Sequence, residues 1–131
     1  EDRKTISSPE EAAARVSFEM SALEQEHLKL ILLDSRNRVL DIVEAYKGSV
    51  NSAQVQVGEL FKPAIRRNAP ALIVVHNHPS GDPTPSPDDV AITRAIVQAG
   101  KLLNVDVLDH LVIGQGHDNW VSLKKRGLGF S

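Results

Sequence analysis

The spacing of apolar positions changes several times along this chain, and each change marks a new element. Ser8, Pro9 and Glu11 set up a helix start, with a serine cap, proline in the first helical position and glutamate three residues after the cap. Val16, Met20 and Leu23 continue at helical spacing, which predicts a helix over residues 8–23. From His27 to Leu33 the run is almost continuously apolar and suits a buried strand. Asp34 to Arg38 is a polar turn, and Val39 to Tyr46 returns as a second strand, so a hairpin is expected. Residues 48–54 read as a loop, followed by a helix over 58–68 with Leu60, Phe61, Ala64 and Ile65 turned inward. Pro63 lies within that helix, where its missing donor is expected to kink it or delay its start.

Ala71 to Val75 is β-branched and apolar, the best central strand in the chain. It runs into a proline-stiffened loop from His76 to Pro85. Ser86-Pro87-Asp88-Asp89 repeats the helix-start chemistry, and the helix it opens is expected to reach about Leu103. Val105 to Ile113 reads as a strand, residues 114–119 as a turn, and Trp120 to Leu123 as a last short strand. Lys124 to Gly127 reads as a solvated basic end. Mixed strands and helices without repeats imply an α/β domain of three layers, an α-β-α sandwich.

Composition narrows this further. At 131 residues, 41% hydrophobic and 24% charged, the chain suits one domain over 1–131 with a core that needs no covalent staples. The absence of cysteine excludes disulfides, thiolate zinc fingers, thiol nucleophiles and iron–sulfur clusters. No apolar run approaches the ~20 residues of a membrane span and no signal peptide opens the chain, so no membrane partner and a cytoplasmic setting are expected. A net charge of −2 argues against a dedicated nucleic-acid binder. The chain opens on Glu1 rather than methionine, and is expected to be a piece of a longer protein.

The chemistry concentrates between His76 and Asp89. Histidines at i and i+2 on the end of a strand project to one side, a spacing that lets two imidazoles share a metal ion. Ser86 and Asp89 occupy the N-cap and N3 positions of the following helix, from which a carboxylate reaches back toward His76 and His78. Two imidazoles and one carboxylate form a three-ligand zinc site with a fourth position for water, the catalytic pattern, although such ligands also accept manganese, nickel or iron. Pro79, Pro83, Pro85 and Pro87 restrict the loop and lower the entropy lost on binding Zn2+.

His76, His78, Ser86 and Asp89 match H-x-H-x7-S-x2-D term by term, and this signature resembles that of the JAMM/MPN metalloproteases. The flanking His-Asn-His-Pro-Ser-Gly-Asp-Pro-Thr-Pro-Ser and the later Leu108-Asp109-His110 resemble the RadC-like branch of that family. The resemblance implies a mixed central sheet of cytidine-deaminase-like architecture and a zinc-dependent metallopeptidase or isopeptidase acting on an unidentified peptide or protein substrate. It also implies an upstream glutamate as general base, assigned to Glu26, with Glu24 and Glu59 as rivals, and a serine matching Ser86 as oxyanion donor. As an N-cap, Ser86 has a structural use as well. The chain departs from the branch at Gln56-Val57-Gly58-Glu59, where its relatives carry a His-Pro-Arg-Glu-type segment.

Other polar residues have blander readings. Asp82 and Asp88 read as turn and helix-start residues, with contact to a ligand histidine as the alternative for Asp82. His110 reads as half core and half hydrogen-bonding, with contact to the site as its alternative; His27 and His117 as surface or strand-edge residues; Trp120 as packing. The contiguous His76-Asn77-His78 is not the dispersed set of HNH nucleases, and the zinc deaminases need cysteines that are absent here. The competing function is a metal-bearing binding module associated with DNA repair. RadC-like proteins carry that label, and many have a helix-hairpin-helix segment ahead of this domain, through which DNA would be reached.

Overall fold

The computed structural model describes residues 4–51, 53–116 and 118–130. Elements follow in the order α1 (Pro9–Met20), β1 (His27–Leu33), β2 (Val39–Lys47), α2 (Val57–Arg66), β3 (Ala71–Asn77), α3 (Pro87–Leu103), β4 (Asp106–Ile113) and β5 (Trp120–Ser122). The five strands form one sheet in the order β2-β1-β3-β4-β5. It is mixed: β3 and β4 run parallel, joined through α3, and every other neighbouring pair is antiparallel. His117 lies outside the described residues.

The two longest apolar runs take the interior positions. β1 is paired on both edges, and all seven residues of β3 are buried between β1 and β4. A strand covered on both faces has no solvent side to alternate toward, so it reads as unbroken apolar sequence. Parity then sorts the side chains. Leu28, Leu30, Leu32, Leu72 and Val74 pack under α2 and α3 with Phe61, Ile92 and Ile96. Ile31, Leu33, Ile73, Val75, Leu111 and Ile113 pack under α1 with Ala12, Val16 and Met20. One helix on one face and two on the other give the expected three-layer sandwich.

Local chemistry explains where the elements stop. α1 ends at Met20, three residues before the expected limit, because Ala22 and Leu23 bond to the carbonyls three residues back rather than four. α2 starts at Val57 and passes through Pro63 to Arg66, so the proline does not delay its start, and Ile65, expected inward, is exposed. β3 runs two residues beyond Val75, since pairing with β4 continues to Asn77 opposite Ile113. His76 therefore stands on the strand, and the loop begins after it. Lys124 to Gly127 are exposed as expected, with Lys125 paired to Glu10.

α3 turns off at Asn104, in the left-handed region at φ 58°, and Val105 N–H then bonds Gly100 O at 2.9 Å. This brings the chain so close that a Cβ on Gly100 would lie 2.5 Å from Val105 O and 2.9 Å from Val107 Cγ2. Gly100→Ala is therefore expected to lower stability by about 1–3 kcal/mol. Chemical denaturation reads this, and an unchanged midpoint would contradict the close approach.

Candidate metal centre

The parity that places Leu72 and Val74 under α3 also turns His76 to that side, and His78 follows two residues later. Asp89 enters from the first turn of α3, which begins with a full capping box. Ser86 Oγ accepts from Asp89 N–H at 3.0 Å, and Asp89 Oδ2 accepts from Ser86 N–H at 2.8 Å. The bonds that initiate the helix thus also orient the carboxylate toward the strand.

Three donors meet there. His76 Nε2 lies 3.1 Å from His78 Nε2 and 3.1 Å from Asp89 Oδ1, and His78 Nε2 lies 3.0 Å from Asp89 Oδ2. Ligands at 2.0–2.1 Å from one tetrahedral zinc stand about 3.3 Å apart, so these separations lie close to a coordination edge. His76 is fully buried and Asp89 is 2% exposed, whereas the His78 side chain is 15% exposed. The cluster is closed behind His76 and open beside His78. Among the described residues, His76, His78 and Asp89 form the group able to hold a metal ion.

Burial alone would push the Asp89 carboxyl up, but hydrogen bonds with His76 and His78 and the nearby charge hold it well below the ordinary carboxylate range. The bond to Asp89 pushes His78 above the usual histidine value against the effect of burial, and the charges of Asp89 and Glu26 add to that push. The two shifts are the two sides of one pairing between the carboxylate and the rings, whose ligand atoms a cation would share. Each histidine also has its other nitrogen engaged, His76 Nδ1 with His110 Nε2 at 2.7 Å and His78 Nδ1 with Asp82 O at 2.9 Å. Such partners orient a metal-binding ring.

Asp82 thus supports His78 through its backbone carbonyl, while its carboxylate holds Thr84 N–H and hydroxyl in a local turn. The same turn carries Gly81 at φ 96°, whose carbonyl accepts from Gln115 N–H and Asn119 Nδ2. Loop 78–82 is thereby tied to the β4–β5 turn.

Glu26 stands directly before β1, beyond the Leu28–His76 pair. Asn77, 1% exposed, accepts from His27 N–H at 2.7 Å and donates to Gln25 O at 2.9 Å, so its amide grips both neighbours of Glu26. The Glu26 carboxylate accepts from Val50 N–H at 2.7 Å through Oε1, and its charge reaches His78. The two rivals stand apart from this arrangement: Glu24 is exposed, and Glu59 pairs with Lys62 in the first turn of α2. His27 pairs with Glu44 across the hairpin, Asp88 is exposed, and Trp120 packs against the α1 side of the core.

Sequence reading did not single out Asn77 as a clamp or Thr93 as a partner of the site. Thr93 had a signal: it lies one helical turn beyond Asp89 and so shares its face. Leu108-Asp109-His110 divides across the sheet. His110 is fully buried on the α3 side against His76, and burial holds it well below the ordinary histidine range. Asp109 points away, raised by burial and bonded to Ser122 Oγ and His110 N–H.

A family model described as a RadC-like JAB domain matches residues 6–128. A UPF0758 protein of Chloroflexus aurantiacus is 58% identical over 130 residues, covering 99% of this chain and 56% of that protein. One from Roseiflexus castenholzii is 55% identical over 130 residues, with 99% and 55% coverage. Another, from Desulfitobacterium hafniense, is 46% identical over 126 residues, with 96% and 55% coverage. The chain spans about half the length of the curated relatives it matches.

Three outcomes are expected of this geometry. Native-purified protein or protein reloaded with zinc should carry one equivalent by elemental analysis, and saturation at 100 times Kd should add about 2.7 kcal/mol of stability. Asp89→Asn, which keeps an oxygen for Ser86 N–H, should lose the metal while remaining folded; undiminished zinc would remove Asp89 from the ligand set. Separately, Asn77→Ala strands His27 N–H and Gln25 O and should cost about 1–3 kcal/mol, read by urea denaturation. An unchanged midpoint would show that the clamp carries no energy.

Proposed function

This chain belongs to the RadC-like JAB family, and from that premise we propose that it is a zinc-dependent metallohydrolase, a metallopeptidase or isopeptidase cleaving an amide bond. The observation that carries the proposal is the convergence of His76 Nε2, His78 Nε2 and Asp89 in a cluster with one accessible side. Three protein ligands and an open flank fit a catalytic zinc rather than a structural one, which is normally closed by a fourth protein ligand.

When bound, zinc supplies Lewis acidity toward a substrate carbonyl and makes water a nucleophile at neutral pH. Glu26 is assigned the proton transfers, taking a proton from the attacking water and delivering it to the departing amine. The support is positional: Val50 N–H occupies Oε1, which leaves Oε2 for the proton. Ser86 is assigned the hydrogen bond to the carbonyl oxygen as negative charge develops on it. Its cap bond from Asp89 N–H uses a lone pair of Oγ, so the hydroxyl hydrogen remains to donate. The structural and catalytic uses of this serine are therefore compatible.

The substrate is proposed only as a peptide or an isopeptide-linked protein. No helix among the described residues is long and apolar enough to cross a membrane. The proposal places the chemistry in the cytoplasm.

Glu26→Gln tests the mechanism, because it keeps the shape and the Val50 contact while removing the base. Turnover of an internally quenched peptide library by the zinc-loaded protein should fall by about 10²–10⁴-fold with zinc content unchanged. Full activity in this variant would take Glu26 out of the reaction.

A further inference from the structure

A second line of hydrogen bonds leads away from the metal-ligand group into the protein. Thr93 Oγ1 donates to Asp89 O at 2.6 Å, one turn back along α3, and also contacts His110 Nδ1. His110 Nε2 lies 2.7 Å from His76 Nδ1. None of these residues meets solvent appreciably: Thr93 is 1% exposed, His110 and His76 0%, and Asp89 2%. The C-terminal turn closes over Thr93, with the Cβ position of Gly129 only 2.8 Å from Thr93 Cγ2.

Counting hydrogens along this line fixes its direction. A threonine hydroxyl has one hydrogen, and Thr93 gives it to Asp89 O. Toward His110 it can only accept, so Nδ1 of His110 carries the hydrogen. Two N–H groups cannot face each other at 2.7 Å, and an imidazole with its hydrogen on Nδ1 has its lone pair on Nε2, so His110 Nε2 is the acceptor. His76 Nδ1 must then be the donor across the 2.7 Å contact, so the neutral ring offers its lone pair at Nε2, where a metal would replace the hydrogen shared with Asp89 Oδ1.

We propose that Thr93 and His110 are positioning residues that hold His76 as its Nδ1–H tautomer, presenting the Nε2 lone pair to the metal. This rests on the metal-centre reading above and goes beyond it, because neither residue touches the ion. The line begins on the backbone of one ligand, Asp89, and ends on the ring of another, His76. It thereby couples the α3 ligand to the β3 ligand through the interior. Threonine bonded to a carbonyl four residues back is common inside helices. What that habit does not explain is a buried histidine bridging the hydroxyl to a ligand ring.

Thr93→Val keeps the shape and removes the acceptor for His110 Nδ1–H. Zinc affinity, measured by competition with a chromophoric chelator, should fall about 10–100-fold, and Thr93→Ser should recover most of it. Long-range ¹H–¹⁵N spectra of the histidine rings should show hydrogen on Nδ1 of both His110 and His76 in the unsubstituted protein, and a changed pattern in Thr93→Val. Equal zinc affinity in Thr93→Val overturns the proposal, as does failure of Thr93→Ser to recover it, which would mark a packing effect. Hydrogen on Nε2 of His110 in the unsubstituted protein overturns it without any variant. Failure of the unsubstituted protein to bind zinc would instead overturn the metal reading, and the proposal with it.

Discussion

Two imidazole nitrogens and a carboxylate, gathered within about 3 Å in a nearly dry corner, repel one another unless a hydrogen or a cation lies between them. The surrounding structure keeps them together despite that. β3 cannot turn His76 away without losing register against both β1 and β4, and Asp89 cannot leave without breaking the capping box that starts α3. The unfavourable proximity is held by elements whose own stability comes from elsewhere, in the two apolar layers of the core. A divalent cation can take the place of those hydrogens, and the convergence of three ligand atoms beside one open flank makes the arrangement a candidate metal centre.

The end of β3 organises everything else nearby. To one side, Asn77 replaces the backbone ladder where β1 runs out and fixes the segment that carries Glu26. To the other, β4 brings His110 behind His76. Ahead, Gly81 and Asp82 fold the loop back so that a carbonyl orients His78. His76 and His78 thus turn to one side at the end of β3, while Asn77 between them bonds the segment before β1.

The sequence made the elements legible where burial was unambiguous. The runs at Leu30–Leu33 and Ala71–Val75 are apolar without interruption because they lie inside a sheet covered on both faces. Ser8-Pro9 and Ser86-Pro87 announce helix starts through local chemistry that tertiary packing does not override. Element ends were harder to place. The stop of α1 at Met20 depends on a switch in hydrogen-bond spacing, and the extension of β3 through His76 depends on its partner strand. Within the site, His76, His78 and Asp89 were readable because their spacing alone carries the geometry. Of the support around them, Asp82 and His110 were legible as alternatives and Thr93 had its helical spacing from Asp89, whereas Asn77 bonds residues 50 and 52 positions away, which no local pattern encodes.

The central claim is that His76, His78 and Asp89 bind one divalent ion together, and X-ray absorption at the zinc edge of the loaded protein tests it most directly. The account predicts a single zinc environment of two imidazole nitrogens at about 2.0 Å, a carboxylate oxygen and one exchangeable light ligand. A spectrum with six oxygen ligands and no imidazole scattering would contradict it.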